Sequence, residues 1–205
     1  WVMALILGIA VGVARTLPQR ALRALGNAYV ELFRNIPLLV QMFLWFFVLP
    51  ELLPAPVGDW LKALPDAPFV TAVVCLGFFT SARVAVQVSA GIEALSGGQR
   101  SAALALGLGL GQVYRLVLLP LSLRIILPPL TSEFLNIIKN SSVALTIGLV
   151  ELTASARAVQ EFSFQVFEAF SAATLIYVFV NLLALSLMRA VERRAALPAA
   201  GTGAA

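Results

Sequence analysis

Long apolar runs separated by short polar segments set the pattern of this chain. A helix that crosses about 30 Å of hydrocarbon needs about 20 mostly apolar residues. Residues 1–14 are apolar but too short for that. They are expected to be the end of a first helix whose start lies outside the sequence. A signal peptide is the rival reading, but no basic stretch precedes the run and no small-residue cleavage site follows it. A second span is predicted over residues 36–50, with its true start near Tyr29 and Arg34 snorkelling towards the headgroups. Residues 51–68 hold four prolines and three acids, with a short amphipathic surface helix predicted at 57–64 around Trp60. A third span covers residues 69–92. The next apolar stretch runs from Leu116 to Val150, punctuated by Pro120, Pro128 and Pro129 and then broken by Lys139, Asn140, Ser141 and Ser142. It reads as one crossing by a discontinuous helix, because irregular backbone at membrane depth survives only where protein or a water-filled cavity satisfies it. Residues 154–168 are predicted to form an amphipathic helix at the outer surface, and residues 170–188 the last span. The small-residue tail from Ala195 is expected to be disordered. The fold class is all-α, an integral membrane protein of about five transmembrane helices in one domain over residues 1–194.

Basic residues orient these spans. Arg15, Arg20, Arg23 and Arg34 flank one connection, Arg100, Arg115 and Arg124 another, and Arg189, Arg193 and Arg194 follow the last span. All three groups fall on one side, which the positive-inside rule makes cytoplasmic. The opposite loops carry Glu51, Asp59, Asp66, Glu161 and Glu168 against Lys62 and Arg157. The carboxyl terminus is therefore expected inside the cell.

Composition narrows the chemistry. The chain is 60% hydrophobic and 12% charged, where soluble domains carry about 25% charged residues. Its net charge of +4 lies in patches between apolar runs, as membrane topology requires, and does not read as a nucleic-acid surface. There is no histidine and one cysteine, Cys75. That removes the commonest general base and metal ligand, any intrachain disulfide, and a zinc site. No metal and no catalytic residue is expected. Trp45, Phe46, Phe47 and Trp60 read as an interfacial aromatic belt rather than a ligand cage.

The segment from Glu93 to Gln112 reads EALSGGQRSAALALGLGLGQ and leads into VYRLVLLP. Ala102 and Ala103, then Gly107, then nine residues, then Val117, Leu119 and Pro120 reproduce the spacing of the cytoplasmic loop in membrane subunits of bacterial ABC importers, with Ser101 at the position of the loop's glutamate. The chain resembles that family. Small residues at Ala102, Ala103 and Gly107 let a short helix seat in a groove on another protein, the glycine lets the backbone turn, and the proline is expected to start the next helix. A small-residue loop without partner is the bland alternative. Leu95 to Gln99 spells Leu-Ser-Gly-Gly-Gln, the signature peptide of ABC ATPases, but no Walker A loop accompanies it. It is read as coincidence. YVELFRNIPLLVQ (29–41) resembles the polar-amino-acid branch of these permeases. TSARVAVQVSAGIEAL (80–95) and TSEFLNIIKNSSVALTIGLVELT (131–153) resemble its glutamate/aspartate subgroup, with Val86 and Ser89 where a glutamate and an arginine are usual.

The resemblance implies a type I importer permease fold in the bacterial inner membrane, importing polar, chiefly acidic, amino acids by alternating access. It implies an ABC ATPase dimer that holds the ATP and Mg, a second permease subunit (a paralogue or an identical copy), a periplasmic amino-acid-binding protein and surrounding lipid. No cofactor is expected on this chain. A secondary transporter not driven by ATP is the alternative. Ionisable residues at membrane depth are costly and usually functional. Arg83 and Lys139 are candidate partners for substrate carboxylates and Glu133 for the ammonium. Glu133, Asn136 and Asn140 share a helical face if the helix continues. Glu133 and Lys139 pairing with each other, or with a partner subunit, is the competing reading. Asn140, Ser141 and Ser142 either line a cavity or cap the helix that resumes at Val143.

Overall fold

The computed structural model describes residues 1–95 and 97–195, all helix and connecting turns with no strand among them. The helices are α1 (Val2–Thr16), α2 (Arg20–Asn35), α3 (Leu38–Leu52), α4 (Ala55–Lys62), α5 (Ala67–Glu93), α6 (Gly97–Ala105), α7 (Leu110–Ile125), α8 (Leu127–Ile147), α9 (Leu152–Ser163) and α10 (Val166–Ala195). By length and composition α5 and α10 each suffice to cross a membrane, α2–α3 and α7–α8 qualify as bent pairs, and α1 is a shorter apolar helix. The last helix runs on through Ala195; the predicted disordered tail beyond it lies outside the described residues.

α5 is the centre of the bundle, and α1 lies along it. Membrane helices gain little from hiding apolar surface from lipid, so close backbone packing by small residues does much of the joining. Ala4, Gly8 and Gly12 recur every fourth residue on α1 and are buried. A Cβ on Gly8 would stand 2.5 Å from Val84 Cγ1 and 2.9 Å from the Ser81 carbonyl; one on Gly12 would stand 2.6 Å from Val88 Cβ and 2.9 Å from the Ala85 carbonyl. α1 is thus a fitted partner of α5 despite its length.

The predicted start of the second span near Tyr29 is corrected. Tyr29 belongs to α2, which meets α3 at 100°. Pro37 is the cause: it forces the preceding residue out of the helical region, and Ile36 is extended at φ −91°, ψ 126°. Gln41, buried on α3, stabilises the corner by donating from Nε2 to the Phe33 carbonyl at 2.8 Å and the Ile36 carbonyl at 2.9 Å. α2 is held to α5 by Tyr29, whose hydroxyl lies 2.6 Å from Ser81 Oγ.

Both interior prolines sit just beyond a π-helical stretch, Leu44–Val48 before Pro50 and Val113–Leu118 before Pro120. A proline lacks an N–H and its ring clashes with the carbonyl four residues back; the widened turn places that carbonyl elsewhere. Pro120 therefore does not start a helix, as the sequence suggested. α7 begins at Leu110, where the Gly109 N–H donates to Gln112 Oε1 at 2.9 Å, and runs through the proline. The discontinuity of the following crossing is also displaced. The chain bends by 65° at Ile126, before Pro128 and Pro129. At Ser141 the helix merely tightens from α to 3-10 geometry.

A single methyl group is too large at the α1–α5 contact. Gly8→Ala is expected to cost about 1–3 kcal/mol, the usual penalty of overpacking, and to lower the melting temperature of the purified protein in detergent. A melt at the parental temperature would contradict this account of the contact.

Candidate functional site

Two groups of predicted residues fall in two places. The first surrounds α6. This helix ends in a Schellman motif: the Gly107 N–H donates to the Leu104 carbonyl at 2.9 Å and the Leu108 N–H to the Ala103 carbonyl at 3.2 Å. Gly107 has φ +85° with open space around its Cβ position, so its role in turning the backbone is as expected. The small residues divide. Ala103 is 5% exposed and packs with Val113, Tyr114 and Leu118 of its own chain. It seats α6 on the bundle and is not available to another protein. Ser101 and Ala102 are exposed, and so are Leu104 and, at 83%, Leu106. Those leucines supply the apolar part of the free surface. Their place in an otherwise small and polar segment was the sequence signal for them. Leu119 is half-buried and Pro120 exposed, while Leu118 is the residue that enters the core.

The second group lies between α5 and α8. These helices run antiparallel. Ile126 meets Gly91, Leu130 packs with Val84 and Val88, and Ile137 and Ala144 pack in the cluster of Ala72, Leu76 and Phe79. Arg83 and Glu133 both fall between the two clusters, at one level. Glu133 shares the face of Ile126, Leu130 and Ile137, at three- and four-residue steps. Arg83, half-buried, follows Leu76 and Phe79 at three- and four-residue steps along α5. Its guanidinium carbon is 4.8 Å from the centre of the Phe79 ring, a cation–π contact. Arg83 Nε and Glu133 Oε2 are buried without a hydrogen-bond partner, and Glu133 is 9% exposed. Among the described residues neither forms an ion pair; the pairs are Lys62 with Glu51 and Asp59, and Arg157 with Glu161, all on exposed side chains. Glu133 thus does not pair with Lys139, which is exposed.

α8 is continuous from Leu127 past Asn140, so Glu133, Asn136 and Asn140 do share a face. Asn136 and Asn140 are half-buried. The serines cap nothing: Ser141 Oγ donates to the Ile138 carbonyl at 2.7 Å and Ser142 Oγ to the Lys139 carbonyl at 2.8 Å, each within its own helix. The aromatic residues stand apart from this level. Trp45, Phe46 and Phe47 line a cavity of about 310 Å³ between α3, α4 and the start of α5, at whose edge Lys62 Nζ meets Glu51 at 2.7 Å. Trp60 is 61% exposed.

Sequence reasoning missed the polar contacts that join α1 to the rest. Arg15 donates from Nε to Asn27 Oδ1 on α2 and from Nη1 to Ser89 Oγ on α5, both at 2.9 Å. Tyr114 Oη donates to the Thr16 carbonyl at 2.8 Å. Spacing along the chain carries no sign of a contact between residues 98 positions apart.

The chain matches known proteins over nearly its full length. It is 49% identical over 201 residues to the glutamate/aspartate import permease protein GltJ of Escherichia coli strain K12, a match that covers 97% of this chain and 82% of the relative. The crystal structure of an amino acid ABC transporter with histidines superimposes with TM-score 0.77 at 28% identity, covering 94% of this chain and 86% of that one. An inward-facing MetNI methionine ABC transporter shares the fold, with TM-score 0.79 at 18% identity over 96% of this chain and 89% of that one. The family profile of binding-protein-dependent transport system inner membrane components matches residues 4–197. With the helical architecture and the loop around Gly107, these matches place the chain in that family: it belongs to the inner membrane components of binding-protein-dependent transport systems.

Proposed function

We propose that this chain is the permease subunit through which an ABC importer moves acidic amino acids, glutamate and aspartate, into the cytoplasm. The observation that carries the substrate reading is the pair of buried atoms without a hydrogen-bond partner among the described residues, Nε of the half-buried Arg83 on α5 and Oε2 of the buried Glu133 on α8. An uncompensated charge in a low-dielectric interior is expensive. A zwitterion with a second carboxylate supplies both missing partners: its carboxylates meet Arg83 and its ammonium meets Glu133, while the exposed Lys139 of α8 is a further candidate for a carboxylate. A guanidinium suits this role because it holds a carboxylate in two parallel hydrogen bonds and stays charged when buried. The half-buried amides of Asn136 and Asn140 continue the same polar face. The identity to GltJ supports the same substrate class.

The exposed surface of α6, formed by Ser101, Ala102, Leu104 and Leu106, docks on an ATPase dimer that binds ATP and Mg. No Walker A loop occurs in this chain. A periplasmic binding protein delivers substrate to the outer loops around α4 and α9. ATP closes the ATPase dimer, α6 moves with it, and the helices rock between outward and inward openings. A second permease subunit completes the pathway, with residues 1–194 as one transmembrane domain. The basic residues at the ends of α1, α7 and α10 support a cytoplasmic side for α6 and the carboxyl terminus by the positive-inside rule.

Three outcomes test this reading. Arg83→Ala should assemble with the ATPase yet lower glutamate and aspartate uptake into vesicles, with binding protein in excess, by roughly 30-fold or more, since a buried charge partner is worth about 2–5 kcal/mol. Uptake at the parental rate would make Arg83 structural. Gly107→Leu forces a branched residue into the left-handed region at a cost of about 1–2 kcal/mol, so it should cut transport while membrane insertion persists; normal ATP-driven uptake by this variant would remove α6 as the docking helix. A cysteine at Asp59 should react with an impermeant thiol reagent from the periplasmic side and one at Ser101 should not. The opposite pattern reverses the orientation.

A further inference from the structure

We infer that Tyr114 is a positioning residue that ties the docking helix to the end of α1, so that its hydroxyl adds a directed polar link to the packing by which motion of α6 reaches the α1–α5 pair. The inference rests on the reading of α6 as the ATPase-docking helix. Tyr114 is 5% exposed and lies in the π-helical stretch of α7, the first turn after the α6 loop. Its ring belongs to the buried cluster that holds Ala103, the residue by which α6 seats on its own chain. Its hydroxyl donates to the carbonyl of Thr16 at 2.8 Å, beside Val13 and Leu17, which pack against the same cluster.

Thr16 is the last residue of α1. The final carbonyls of a helix have no partner within it, so the tyrosine satisfies a group that would otherwise be orphaned. The neighbouring residues fix the same point from other sides. Arg15 holds Asn27 of α2 and Ser89 of α5, and Arg23 donates from Nε and Nη2 to the Leu17 carbonyl. The corner between α1 and α2 is therefore stiff. Further along, α1 cannot slide freely on α5 because Gly8 and Gly12 fit against Val84 and Val88. A displacement of α6 carries Val113 and Tyr114 with it by packing. Through the Tyr114 hydroxyl it then pulls on α1, and with α1 on α5, the helix that bears Arg83.

Tyr114→Phe keeps the ring and removes the hydroxyl, so it separates packing from pulling. The experiment uses the whole complex, permease with its ATPase and binding protein, in vesicles containing glutamate as the transported probe. The expected result is normal assembly, a melting temperature within about two degrees of parental, ATP hydrolysis at or above the parental rate, and at least a fivefold fall in glutamate imported per ATP hydrolysed. Hydrogen exchange on the same complex gives the second readout. ATP should change protection at residues 97–106 in both proteins, but at residues 13–19 in the parent alone. An unchanged ratio of import to hydrolysis, or an ATP response at residues 13–19 that persists in the variant, overturns the inference. So does a loss of import that follows a loss of thermal stability, which would make the hydroxyl a structural bond. If the parental permease purifies without an ATPase, the docking reading fails first, and that is visible before any variant is compared.

Discussion

The approach of α1 to α5 at Gly8 and Gly12 is the contact on which the other arrangements depend. In lipid there is little to gain by hiding one apolar helix behind another, so helices join where their backbones can come close. Each glycine abuts a valine side chain and a backbone carbonyl of α5. With α1 so fixed, its end at Thr16 becomes an anchor for α2 through Arg15 and for α7 through Tyr114. α5 in turn carries the second contact surface, against α8, that sets Arg83 and Glu133 at one level.

The level of Arg83 and Glu133 is polar where the surrounding bundle is not, and its polarity is incomplete. Arg83 has an aromatic ring beside it rather than a carboxylate. Glu133 is nearly fully buried and, among the described residues, has no cation within ion-pair distance. A bundle selected for stability alone would pair such groups or replace them with apolar ones. Keeping such groups close in depth yet unpaired is costly unless a third component completes the set, and the proposed zwitterionic substrate has the groups to do so.

Much of this was legible in the sequence, and the failures share a cause. Apolar length gave α5 nearly to the residue, and the glycine after Ala103 gave the turn that closes α6. The repeat of Glu133, Asn136 and Asn140 gave their common face. Pro37 was a stronger signal than the apolar run it interrupts: its effect on Ile36 ended α2 and turned the chain, whereas hydropathy joined Tyr29 to the span beyond. The recurrence of Ala4, Gly8 and Gly12 at every fourth residue is a pattern of the sequence, but the segment's short apolar length outweighs it in a reading by hydropathy. Ala103 was read as a surface residue because small residues suit any close contact, internal or external; only the packing of Val113 and Tyr114 decides which. Tyr114 and Arg15 act across long sequence separations, and nothing local marks them.

The π-helical stretch before Pro120 has a consequence for anyone numbering positions along α7. An α-helix turns about 100° per residue, and a widened stretch absorbs about one residue more than a regular helix of the same rise. A helical wheel drawn from Leu110 on a single period therefore slips by about one position once it passes Leu118. Ser122, buried with its Oγ bonded to the Leu119 carbonyl and packed beside Gly91, would be drawn on the wrong flank. Mutational scans of this helix need two phases, one on each side of the insertion, before exposed and buried positions can be told apart.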